Sequence, residues 1–201
     1  LNPFVPNSPV NPGMFVGRLS EVERLEGLLL HARAGEASHF IVTGERGIGK
    51  SSLLTYLRWL AEGRITVLAE TLNFLVVDTD IDQNTTQLGL VRKIELGIRK
   101  GLAECEPARD FMEKAWAFIT RIEAAGVKLR EGKKDETVEL LMEEFAYSLA
   151  ETVSRISGSQ TEGESFGTKR DGMLILIDEA DNSSKPLQLG VFLKLLTERL
   201  Q

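Results

Sequence analysis

The run Gly44-Glu45-Arg46-Gly47-Ile48-Gly49-Lys50-Ser51-Ser52 carries the clearest chemistry in this chain. It fits the pattern G-x-x-x-x-G-K-[ST], with Gly44, Gly49, Lys50 and Ser51 as the fixed letters. Glycines let a backbone curl so that successive N–H groups point inward as a nest for anions. Glu45, Arg46, Gly47, Ile48 and Ser52 lend their backbone to the same curl. A lysine at this spacing reaches the β- and γ-phosphates of a nucleotide as a mobile point charge, and the adjacent hydroxyl holds Mg²⁺. A helix that begins at the loop adds its positive dipole end.

The flanks suit that chemistry. Residues 39–43 (HFIVT) read as a short buried strand, and residues 53–60 read as a helix with apolar residues at three- and four-residue spacing, running to about 62. Strand, glycine loop and helix together predict a site for a nucleoside triphosphate. A second run, Leu174-Ile175-Leu176-Ile177, is followed by Asp178-Glu179. Its apolar continuity predicts a strand buried on both faces, as in a parallel sheet. Ligands of open α/β sheets bind at the carboxyl ends of such strands. Asp178 is then expected to hold Mg²⁺ through water, and Glu179 to orient and polarise an attacking water. Asn182, just past them with Asp181, has two readings: contact with the γ-phosphate region, or capping of the helix after Pro186.

Composition narrows the alternatives. A chain of 201 residues with 42% hydrophobic content can bury a core in one or two domains. The net charge of −6 gives no support for a nucleic-acid footprint. The single cysteine, Cys105, cannot form an internal disulfide, which suits a reducing, cytoplasmic setting. No apolar run approaches the ~20 residues needed to span a bilayer, so no membrane role is expected.

Along the chain, residues 1–14 hold all but two of the six prolines and read as an extended arm. Ser20 and Glu23 have capping-box spacing ahead of a helix with a Val22, Leu25, Leu28, Leu29 stripe, and Gly35 is its stop. Residues 65–69 and 73–77 are strand-like, either as the second strand or as an edge pair. Residues 84–157 read as helical throughout. One helix follows Pro107 with Phe111, Ala115, Phe118, Ile119 and Ile122. Another carries Val138, Leu141, Met142, Phe145, Leu149, Val153 and Ile156, and stops at Gly158. Residues 158–172 read as a loose loop.

Phe15-Val16-Gly17-Arg18, then Glu21 and Leu25, then the phosphate loop, then the run LILIDEAD together resemble the ATPase domains of the AAA+/STAND group, which includes origin-recognition-like and NLR-like ATPases. The resemblance implies an α/β fold, the three-layer αβα P-loop NTPase sandwich with a parallel sheet. It implies an N-terminal arm and helix (1–38) lying over the adenine and an ATPase core (39–201), with residues 84–157 as a helical insertion. Phe15, Val16 and Gly17 would line the base pocket; Arg18 would either approach the nucleotide or pair near Glu21. Lys50 and Glu179 would be the catalytic residues, and Ser51 and Asp178 the Mg²⁺ ligands. In that group a sensor strand lies between the phosphate-loop strand and the Asp-Glu strand. It would follow residue 201 here, as would an arginine finger and a lid, so the resemblance implies an incomplete domain. Arg199 is the best finger candidate within the chain, against a plain helix-end role. The implied function is a Mg²⁺-dependent ATP-binding and ATP-hydrolysing switch module, slow in isolation, that meets partners or copies of itself through further segments. The alternatives are a nucleotide-locked scaffold with little turnover and the ATPase part of a DNA-associated motor or loader. A small-molecule kinase is the weakest, because Asp178-Glu179 is built to activate water.

Overall fold

The computed structural model describes residues 18–36, 39–45, 47–67, 69–126, 134–158, 166, 169–183, 185 and 187–200. They fall into two compact units, 1–76 and 77–201.

In the first unit, helix α1 (Leu19–Arg33) packs on helix α2 (Lys50–Ala61). Helix α1 buries Leu25 and Leu29, with Val22 and Leu28 half-buried, and it ends at Gly35, whose φ of 96° suits a glycine stop. The expected capping box does not form. The helix begins one residue before Ser20, Arg18 stands at the cap position without a side-chain cap bond, and the Ser20 hydroxyl donates to Glu21 at 2.9 Å. Helix α2 buries Leu53, Tyr56, Leu57, Leu60 and Ala61. The Tyr56 hydroxyl donates to Glu26 of α1, and burial first, then that carboxylate, pushes the phenol well above its usual range.

Two strand expectations need correction in this unit. Residues 39–43 form no strand, and Ile41 is 78% exposed. An apolar run becomes a strand only when a neighbour satisfies its backbone, and none of the described residues pairs with it. Residues 65–67 form no strand either: Val67 and Glu70 exchange backbone bonds of 3.0 and 2.8 Å in a tight turn, Ala69 has φ 63°, and residue 68 lies outside the described residues.

Strand β1 (Phe74–Asp80) runs on into the second unit, where it pairs with β2 (Gly172–Asp178). The Ile81 N–H donates to the Asp178 carbonyl at 3.2 Å, so the strands run parallel and end together. Strand β2 alternates: Leu174 and Leu176 are buried, whereas Ile175 and Ile177 are half-buried. It was expected to be covered on both faces; the face that carries Ile175 and Ile177 is only partly covered.

The stretch read as helical throughout holds four helices, with turns between them at 102–105 and 116–117: α3 (Gln87–Gly101), α4 (Glu106–Ala115), α5 (Phe118–Gly126) and α6 (Lys134–Ser157), with α7 (Leu189–Leu200) after β2. Thr86 caps α3 by accepting the Gly89 N–H at 3.1 Å. Gly97 of α3 lets that helix lie close on β1, since a Cβ there would sit 2.6 Å from a methyl of Val77. Helix α6 packs on α3, α5, α7 and β2. Its stripe of Leu141, Met142, Phe145, Leu149 and Ile156 is buried, as spacing predicts. The single helix expected after Pro107 is two. It breaks at Trp116, a 2%-exposed residue whose indole N–H donates to the Thr152 hydroxyl at 3.3 Å. Phe166, inside the expected loose loop, is 5% exposed, and its ring lies tilted against Phe111 at 5.2 Å.

Candidate functional site

The phosphate-loop residues lie in the first unit. Gly47 and Gly49 have φ of 84° and 92°, in the left-handed region, with open space where a Cβ would stand. Conformation rather than room therefore calls for glycine. Gly49 is the N-cap of α2 and supplies no side-chain cap bond; the positive dipole end of a helix that starts at such a place favours an anion. The Lys50 ammonium folds back into the curl and donates to the carbonyls of Gly44 (2.8 Å) and Glu45 (3.0 Å). Arg18 donates from its guanidinium to the Ile48 carbonyl, which ties the start of α1 to the loop. Ser51 is exposed and its carbonyl accepts the Thr55 hydroxyl at 2.9 Å, while Ser52 is buried. Phe15, Val16, Gly17 and Arg46 lie outside the described residues.

The carboxylate pair lies in the second unit, at the shared carboxyl end of β1 and β2. Asp178 closes β2 and is half-buried; its carboxylate accepts the Glu179 N–H at 2.8 Å. Glu179 has φ 55°, an uncommon conformation for a side-chain-bearing residue. It opens a single 3₁₀ turn, Ala180–Asn182. The Asn182 amide nitrogen donates to Glu179 Oε2 (3.0 Å) and to the Ile81 carbonyl (3.4 Å). It does not cap α7. On the β1 side, the Lys93 ammonium meets the Asp80 carbonyl (2.9 Å) and carboxylate (3.2 Å) and stands 3.6 Å from the Asp82 carboxylate. Asp82 is held below the usual carboxylate range by the Asn84 N–H first, then by Thr85.

The donors suit a magnesium nucleotide. Among the described residues no three His, Cys, Asp or Glu side chains gather as a metal cage. The Ser51 hydroxyl of the first unit and the Asp178 carboxylate of the second are each hard oxygen donors of the kind Mg²⁺ takes.

A family model described as the AAA ATPase domain matches residues 14–200. The chain belongs to that family. Its members are nucleotide-binding ATPases built on the P-loop α/β fold, and the parallel pairing of β1 and β2 agrees with that fold. Neither the curated proteins nor the solved structures gave a match. No described helix of this AAA ATPase domain is long and apolar enough to cross a membrane.

Sequence reasoning passed over the clasp between Asn182 and Glu179. A signal was there: residues three apart eclipse in a 3₁₀ turn, and the sequence has Glu179 and Asn182 at that step. The bond from Arg18 to the Ile48 carbonyl is neither of the two readings left open for Arg18, contact with the nucleotide or pairing near Glu21. Arg199 donates to the Leu195 carbonyl of its own helix at 3.5 Å.

Proposed function

We propose that this AAA ATPase domain is a Mg²⁺-dependent ATP-binding and ATP-hydrolysing switch module of the STAND/origin-recognition-like kind, working in the cytoplasm within a larger assembly. The observation that carries the reading is the Lys50 ammonium seated in the curl of a glycine loop at the N-terminus of α2. An ammonium parked on two carbonyls can exchange them for phosphate oxygens without moving the backbone.

Phe15, Val16, Gly17 and Arg18 would meet the base. The backbone of Gly44, Glu45, Arg46, Gly47, Ile48, Gly49 and Ser52 would cradle the phosphates, with Lys50 on the β- and γ-phosphates. Ser51 and Asp178 would hold Mg²⁺, which offsets phosphate charge when bound. Glu179 would accept a hydrogen bond from the attacking water and align it for in-line displacement. ATP and ADP would then favour different states of attached segments by differential contact. An arginine supplied by a neighbouring subunit is worth ~10³–10⁵ in turnover, so residues 1–201 alone would be slow.

Steady-state ATP turnover by the full-length protein and by Glu179→Gln tests this. Loss of a positioned general base should cost roughly 100-fold or more, with ATP binding retained. Equal turnover by the two proteins would favour the nucleotide-locked scaffold.

A further inference from the structure

We infer that Asn182 is a positioning residue for Glu179, fixing one carboxylate oxygen so that the other is presented to water. The inference rests on the reading of Glu179 as the water-activating group. Both partners of the Asn182 side chain, Glu179 Oε2 at 3.0 Å and the Ile81 carbonyl at 3.4 Å, are acceptors, so only the amide nitrogen can serve them. Its two N–H groups are thereby committed, one to each. The Ile81 carbonyl is a firm anchor: Ile81 is fully buried, and its own N–H is bonded to the Asp178 carbonyl across the strand pair.

Glu179 needs such a hold. It is exposed, it follows the last residue of β2, and its backbone stands in the left-handed region at φ 55°. Backbone bonds on both sides lock that conformation: the Glu179 N–H to Asp178 Oδ1 (2.8 Å), and the Asn182 N–H to the Glu179 carbonyl (2.9 Å). The backbone alone leaves the side chain's rotamers free. The Asn182 amide removes that freedom by tying Oε2 to the end of the neighbouring strand. Oε1 has no partner among the described residues and is the oxygen left for water. An aspartate at 182 would keep the shape, lose both donors and set a like charge against Glu179.

The test compares wild type, Asn182→Ala, Asn182→Asp, Glu179→Gln and the double variant N182A/E179Q in the full-length protein. A hydrogen bond to a charged group is worth roughly 10- to 100-fold in rate, so N182A should lower kcat by about that factor with KM for ATP unchanged. N182D should lose at least as much, because the donor rather than the volume matters. In the E179Q background, N182A should cost nothing further. Unchanged kcat in N182A, or equal losses with and without Glu179, would overturn the inference. Unchanged kcat in E179Q would instead sink the catalytic reading beneath it. A readout independent of turnover is the Asn182 side-chain amide pair in a ¹⁵N-resolved spectrum. Glu179→Ala should move it toward the free-amide position, and an unmoved pair would show that the clasp does not form.

Discussion

The helices of the second unit and the phosphate loop of the first use apolar residues in opposite ways. Trp116, Phe118, Phe145 and Phe192 are each at most 2% exposed. Their rings succeed one another at 5.8–6.0 Å from Phe118 through Trp116 and Phe145 to Phe192. In the loop segment, Ile41 is 78% exposed and Ile48 is 49% exposed. The aromatic chain supplies stability and little chemistry, whereas the loop offers chemistry and little buried area. Segments with few buried contacts are the ones whose order a ligand can raise. The carboxylate pair lies between these extremes: Asp178 ends a packed strand, but Glu179 is exposed and depends on Asn182 for its orientation.

That contrast breaks most visibly through stability. Phe145→Ala removes a fully buried ring that touches two others and should cost about 3–5 kcal/mol of unfolding free energy, read by urea denaturation. A loss near zero would mean that the aromatic chain is not the core of its unit. A far smaller effect is expected at Asp82, which is exposed. Its folded pKa is depressed by the Asn84 N–H and by Thr85, so its contribution is present above the unfolded value of about 3.9 and is lost as pH falls through the folded one. The Tm difference between wild type and Asp82→Ala should therefore appear at pH 7 and close in strong acid. A difference that persists below about pH 2 would assign the role of Asp82 to something other than its charge.

The same contrast explains what the sequence could reveal. Helices were legible because their pattern is local: the stripe of α6 from Leu141 to Ile156 announces its own buried face. The phosphate loop was legible because glycine, lysine and serine at fixed spacing have few other uses. Strand 39–43 was misjudged because a strand is a property of a pair, and no described residue pairs with it. The break at Trp116 was hidden because neither glycine nor proline marks it; a buried indole reaching Thr152 of α6 does. Phe166 was invisible within a polar, glycine-rich stretch because its partners, Phe111 and the Arg155 side chain, are distant in sequence. Glu179 was singled out from the strand end together with the phosphate loop upstream, yet its clasp required the strand β1 that ends at Asp80, next to the anchoring Ile81.

The central claim is that Lys50, seated in the loop, is the cation that receives ATP. It is tested most directly by the thermal shift that Mg-ATP produces in wild type and in Lys50→Ala. A ligand that binds only the folded state at a hundredfold excess over Kd adds about 2.7 kcal/mol of stability. Wild type should show that gain as a rise in Tm. Lys50→Ala should show little or none, while its Tm without nucleotide stays at the wild-type value, because among the described residues the ammonium bonds to two carbonyls of its own exposed loop. An equal rise in both proteins would contradict the assignment.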